Sequence, residues 1–182
     1  GIYDIENCER YPEATEFLMD QPVCITEKLE GSHFAVAYVD KKFWVCQRRF
    51  ALEPIEGMPK HFFWEVTENL GLEEFVNSLV KDFSCEHLVL RGEIIGPNIQ
   101  SNIYYLPERS VRFFDLMIDK RYVDTQVLLD TFRKHSKSDL LVPNLSKDQT
   151  LRAWLNGRSL IEASTGDSGL KNILREGIVI KP

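Results

Sequence analysis

Thr26-Glu27-Lys28-Leu29-Glu30-Gly31-Ser32-His33 lies between two apolar runs, Pro22-Val23-Cys24-Ile25 before it and Phe34-Ala35-Val36-Ala37-Tyr38 after it. Both flanks have strand character, so the stretch predicts strand, tight turn, strand, with Lys28 presented at the bend. Gly31, lacking a Cβ, lets the main chain turn sharply and lets a ligand approach it closely. A lysine so placed is a nucleophile once its amine loses its proton, which requires a pKa well below the free value of about 10.4. Desolvation or neighbouring cations supply such a shift. By itself Lys-x-x-Gly is a common accident, equally compatible with a surface lysine beside a hairpin glycine. The rest of the chain has to decide.

Composition narrows the class. A chain of 182 residues, 43% of them hydrophobic, fits one domain with a real core. No apolar run reaches membrane-spanning length and no signal-peptide pattern opens the sequence, so a cytoplasmic protein without a membrane partner is expected. Cys8, Cys24, Cys46 and Cys85 are scattered, without Cys-x-x-Cys pairs or adjacent histidines, which argues against structural zinc and for reduced thiols. The net charge of −6 gives no global basic field, so a polyanion site must be a local cluster of cations. The start at Gly1 and the stop at Pro182, straight after an apolar run, suggest a piece of a longer chain.

Further along, Tyr3, Ile5, Tyr11 and Phe17-Leu18-Met19 stand among acids, and Pro12 to Glu16 opens a short helix. Ser32–Val39 and Phe43–Cys46 alternate around Asp40-Lys41-Lys42 as a hairpin. An antiparallel pairing brings Arg48-Arg49 back to the level of the Lys28 turn. Guanidinium pairs usually mark a solvated edge, but they also suit bidentate contact with phosphate. Phe62, Phe63, Val66 and Leu70 have helical spacing with Gly71 as a stop, and Phe75, Val76, Leu79 and Val80 mark a second amphipathic helix. Leu88-Val89-Leu90-Arg91-Gly92-Glu93-Ile94-Ile95 then reads as a buried strand interrupted by a carboxylate, which needs partners there: an ion pair with Arg91 or Arg112, or sugar hydroxyls. Asn98 to Arg109 is a polar loop. In Val111–Ile118 alternation sends Phe113 and Phe114 to opposite faces, one to the core and one free to line a site. Asp124 and Ser146 are expected helix N-caps, and Ser164–Gly169 a flexible loop. Glu176-Gly177-Ile178-Val179-Ile180-Lys181 ends the chain as a strand whose odd spacing puts Glu176 and Lys181 on opposite sides unless Gly177 carries a bulge. Without regular βαβ alternation, the class is α+β with largely antiparallel sheets.

In order, Thr26-Glu27-Lys28-Leu29-Glu30-Gly31, then Leu90-Arg91-Gly92-Glu93-Ile94-Ile95-Gly96-Pro97-Asn98-Ile99-Gln100, Phe113-Phe114-Asp115 and Glu176-Gly177-Ile178-Val179-Ile180-Lys181 form a set. That set resembles the covalent nucleotidyltransferases, which comprise ATP-dependent DNA and RNA ligases and mRNA capping enzymes, and within them most closely the ATP-dependent, nick-sealing RNA ligases. The resemblance implies a nucleotidyltransferase (ATP-grasp-like) α+β domain, with sheets flanked by helices around a nucleotide pocket. It implies Lys28 as the adenylylated nucleophile, Arg48 on phosphate, Glu93 on the ribose and Phe114 stacked on adenine. Glu176 holds a metal ion or the reacting phosphate, and Lys181 also faces the phosphates. Glu27 and Leu29 flank the nucleophile where the family meets the base edge, and Thr26, Gly31 and His33 complete the nucleotide site.

The implied cofactors are ATP and Mg²⁺ or Mn²⁺, and the implied partner is RNA with 5′-phosphate and 3′-hydroxyl ends, as in RNA repair. Departures are Glu30 where relatives often have His or Asp, His33 where several have Asn, and Arg48-Arg49 for Arg-Asn. Residues 1–182 are then an adenylyltransferase domain that stops before the family's last lysine motif, with an accessory nucleic-acid-binding domain outside it. DNA sealing, a GTP-using capping activity and a non-catalytic nucleotide-binding module are the alternatives.

Overall fold

The structure is a computed structural model describing residues 6–8, 10–146 and 149–182. Tyr3 and Ile5 lie outside the described residues. The chain forms two compact units, one from Gly1–Leu29 and Val142–Pro182, the other from Glu30–Leu141.

The first unit contains helix α1 (Pro12–Leu18), strand β1 (Pro22–Lys28), and, from the chain's end, β8 (Gln149–Thr150), α5 (Leu151–Leu155), α6 (Leu160–Ser164) and β9 (Gly177–Lys181). Its sheet has the order β8-β1-β9, all antiparallel. Val23 and Ile25 alternate inward from β1 onto Leu151, Leu155 and Ala163, with Ile178 and Ile180 of β9 packed beside them. Each fully buried aliphatic side chain contributes about 1.5–3 kcal/mol. Pro12 occupies the first turn of α1, where its missing N–H has no partner to lose.

Ser146 does not cap α5. Thr150 does, its hydroxyl accepting from Ala153 N–H, while the Ser146 hydroxyl is buried and accepts from Ile25 N–H at 2.8 Å. A fixed β1 backbone outcompeted a local cap. Ser159 opens α6 with a capping box closed by Glu162.

The second unit holds β2 (Ser32–Val39), β3 (Lys42–Cys46), β4 (Ala51–Leu52), α2 (Phe62–Asn69), α3 (Leu72–Phe83), β5 (Leu88–Ile95), β6 (Ser110–Ile118), β7 (Arg121–Tyr122) and α4 (Thr125–Lys134). Its six strands follow the order β4-β3-β2-β5-β6-β7, each pair antiparallel. One face is apolar: Phe34, Val36, Leu88, Leu90, Ile94, Val111, Phe113 and Leu116 pack with Phe63, Val66, Phe75, Val76, Leu79 and Phe132 of the helices. Gly71, at φ 61°, ends one helical run and opens the next, a left-handed conformation that glycine adopts without a Cβ penalty. Asp124 precedes α4 but makes no side-chain cap. Among the described residues no helix is long and apolar enough to cross a membrane.

Two expectations change. β1 and β2 belong to different sheets, so Lys28-Leu29-Glu30-Gly31 is a passage from one sheet to the other rather than a hairpin turn. Lys28 is the last residue of β1 and not the tip of a bend. Gly31 is demanded by crowding: a Cβ there would stand 2.5 Å from Ile94 O and 2.6 Å from Glu93 Cγ.

Candidate active site

In the first unit, β1 and β9 pair Cys24 with Lys181, Thr26 with Val179 and Lys28 with Gly177. Paired residues project to one side of a sheet, and alternate residues share that side. Thr26, Lys28 and Lys181 therefore occupy one face, while Ile25, Ile178 and Ile180 occupy the other. Along the strand Lys181 lies four positions from the residue opposite Lys28, about 13 Å away. Glu176 precedes β9, so strand alternation does not govern it. Its carboxylate makes an ion pair with Lys28 Nζ across 148 residues of sequence. Both side chains are substantially exposed, 50% for Lys28 and 37% for Glu176, so the pair stabilises the fold by no more than about 1 kcal/mol. Its importance is placement of a carboxylate on the amine.

Glu27 is the carboxylate that is truly buried, at 1% exposure. Its N–H donates to Pro143 O at 2.9 Å. Oε2 accepts from Gly169 N–H at 2.8 Å, and Oε1 is buried with no hydrogen-bond partner among the described residues. A buried polar atom left unpaired costs about 1–3 kcal/mol, so Oε1 is an acceptor without a donor in this state. Leu29 is buried too, at 6%. The loop after α6 is not slack: Ser168 is buried, Ser168 N–H donates to Ile173 O, and Asp167 bridges Leu174.

In the second unit the polar face of the sheet carries the other residues. His33 pairs with Glu93 and Glu93 with Arg112, so these three form one row. Arg48 continues β3 beyond the Ala35–Cys46 pair, toward His33. Between β5 and β6 the register slips: Gly92 pairs with Phe113 but Arg91 with Asp115, leaving Phe114 as the extra residue of a bulge. Phe113 is fully buried in the core, whereas Phe114 turns to the polar face, its ring 6.4 Å from the His33 ring at 53°. Glu93 is half-buried, not sealed in the strand. Burial, together with the Arg91 and Arg48 guanidiniums, holds the His33 imidazole below its ordinary pKa against the opposing effect of Asp115. His33 is therefore neutral at pH 7.

Sequence reasoning gave Arg91 only as an ion-pair partner for Glu93 and Asp115 only as part of a motif, whereas the structure sets both charges beside His33. Arg91 was legible, being two residues before Glu93 in one strand. Asp115 was not, because only the bulge turns it off the core side. Glu30 was noted as a departure; its N–H donates to the Tyr104 hydroxyl at 2.7 Å and its carboxylate accepts from Ser101 N–H at 3.1 Å. Tyr104 is 1% exposed, so this turn is tied to the 96–109 loop from inside. Among the described residues no cluster of three or more His, Cys, Asp or Glu is placed to hold a metal ion.

The first unit thus presents a lysine on a strand end paired to a glutamate that opens the antiparallel neighbour, and the second unit, taken by itself, a sheet face bearing Arg, Glu and an aromatic. The RNA ligase family model matches residues 21–182, and the chain belongs to that family. Among solved structures it is similar to the RNA ligase of Naegleria gruberi: an apo variant at 26% identity with a TM-score of 0.80, a variant with ATP and Mn at 25% and 0.79, and the ligase with PPi at 25% and 0.78. In each case the match covers 100% of this chain and 52% of the other, so the chain spans about half the length of that ligase. No curated protein matches the sequence.

Proposed function

We propose that this chain carries the adenylylation chemistry of an ATP-dependent RNA ligase, and the observation that carries the reading is the Lys28–Glu176 pair. The neutral Lys28 amine attacks the α-phosphorus of ATP, a P–N bond forms as the bond to pyrophosphate breaks, and the amine proton passes to solvent. AMP is left on Lys28 as a phosphoramidate. A 5′-phosphate oxygen of RNA next takes the adenylyl group from the lysine nitrogen, and a 3′-hydroxyl then attacks that 5′-phosphorus and expels AMP, sealing the strand. Arg48 and Lys181 supply positive charge for the phosphates, and Glu93 and Phe114 receive the ribose and the base.

The donor chemistry fits a hard divalent cation, Mg²⁺ or Mn²⁺. Glu176 would hold such an ion through a carboxylate oxygen, the hard donor that Mg²⁺ and Mn²⁺ take. When bound, the ion neutralises charge on the transferring phosphoryl group.

Glu27 favours ATP over GTP. Its unpartnered Oε1 can only accept, which suits the exocyclic amine of adenine and opposes the carbonyl oxygen that guanine carries at the same position. RNA repair in the cytoplasm is the biological setting this reading implies. Residues 1–182 serve as its nucleotidyltransferase module, with segments outside them acting on the polynucleotide. The half-length match to the Naegleria ligase supports that division.

The test is intact-mass measurement after incubation with ATP and Mg²⁺ or Mn²⁺, in the full-length protein. Wild type gains one AMP, and Lys28→Ala gains none. An AMP gain retained by Lys28→Ala refutes the assignment.

A further inference from the structure

Arg175 closes the loop between α6 and β9. Its guanidinium donates from Nε to Ser164 O at 2.8 Å, from Nη2 to Ala163 O at 2.9 Å and Thr165 O at 3.2 Å, and from Nη1 to Asp167 O at 3.4 Å. Its own N–H donates to Gly166 O at 2.9 Å. Ala163 and Ser164 are in the last turn of α6, where carbonyls lack intrahelical donors, and a planar fork with five N–H groups can serve several of them at once. Gly166 makes room for it: a Cβ there would stand 2.9 Å from Nη2.

Two groups extend from this closed loop to the nucleophile's strand. Gly169 N–H donates to Glu27 Oε2. Gly169 is itself pressed against Pro143, where a Cβ would stand 2.7 Å from the proline Cβ. Glu176, next after Arg175, pairs with Lys28. One loop thus holds the side chains of two residues adjacent in sequence, Glu27 facing inward and Lys28 outward. With Oε2 occupied by Gly169, only Oε1 of Glu27 is left to meet a ligand.

We propose that Arg175 is a positioning residue. By closing the Ser164–Arg175 loop on its own carbonyls, it sets the Glu27 carboxylate that selects the base and the Glu176 carboxylate that meets the nucleophile. The inference rests on the adenylylation reading above. The Arg175 guanidinium bonds to carbonyls of its own loop and not to Lys28, so its influence on base choice passes through Gly169 and Glu27.

The experiment measures the rate of nucleotidyl transfer to the full-length protein from ATP and from GTP, for wild type, Arg175→Ala, Arg175→Lys, Glu27→Gln and the Arg175→Ala/Glu27→Gln double variant. Arg175→Ala is expected to lower the ATP-over-GTP ratio by about tenfold, the scale of one net hydrogen bond. Arg175→Lys is expected to behave similarly, because an ammonium keeps the charge but not the fork. The double variant is expected to lose no more preference than Glu27→Gln alone, since both changes act on one carboxylate. A role confined to capping α6 slows both nucleotides alike and leaves the ratio intact, which overturns the inference, as do independent, additive losses in the double variant. Should Arg175→Ala fail to fold by thermal melting, Arg175→Lys carries the comparison, with the same drop in ratio expected. Wild type that labels from neither nucleotide refutes the adenylylation reading and this inference together. Wild type that labels while every variant keeps its preference refutes this inference alone.

Discussion

Gly31→Ala places one methyl group where the structure has no room. The new Cβ would lie 2.5 Å from Ile94 O, 2.6 Å from Glu93 Cγ and 2.9 Å from Ile95 Cγ2. Carbon atoms pack best at about 3.5–4.0 Å, so the approach to Glu93 is short by roughly 1 Å. Ile94 O is main chain, in a residue paired with Ser32, and cannot rotate aside. Glu93 Cγ can, but only by carrying its carboxylate away from the row it shares with His33. Overpacking of this kind costs about 1–3 kcal/mol of stability, and a displacement of about 1 Å at a substrate-positioning group costs about a hundredfold in rate. Single-turnover AMP transfer from ATP is the assay, with denaturant unfolding on the same preparation. The expected result is a folded protein, weakened by that amount, that labels about a hundredfold more slowly. A Gly31→Ala protein that unfolds and labels like wild type refutes both the crowding and the proposed role of Glu93 toward the nucleotide.

Two adjacent aromatics should separate stability from function. Phe113→Ala empties a fully buried position and is expected to cost about 3–5 kcal/mol in denaturant unfolding. Phe114→Ala is expected to keep stability within about 1 kcal/mol and to raise the KM for ATP in the transfer assay. His33 sets a pH dependence. Its folded pKa lies below the ordinary value of 6.5, so the unfolded chain binds the proton first, and stability present above that value is lost as pH falls through the folded pKa. Denaturant unfolding from pH about 7.5 to about 5 should therefore show a steeper acid-side loss in wild type than in His33→Asn, and parallel curves contradict the half-buried, cation-flanked placement of His33.

The sequence by itself determined the alternating strands, because a period of two in apolar residues marks a half-buried sheet wherever it occurs. It likewise determined the two helices after residue 61 and that Phe113 and Phe114 face opposite sides of their strand. It also named the ordered set of motifs that marks the family, since the residue types a nucleotidyl transfer requires are written locally, beside each strand end. What lay beyond it were relations between distant segments. Lys28 opposite Gly177 and Glu30 under Tyr104 join residues that no local pattern connects. The Ser146 hydroxyl fits a capping rule that is local, whereas tertiary structure gives it to Ile25 N–H instead.

The same holds for burial. Glu93 reads as the buried carboxylate, yet Glu27, in a strand that looks no more apolar, is the one sealed from water, because Pro143 and Gly169 close over it. Asp115 depends on one extra residue in a ladder, which only the pairing of two strands can create. Alternation and composition are properties of neighbours along the chain. Register, bulges and the choice of which carboxylate loses its water are properties of neighbours in space, and those only the folded molecule decides.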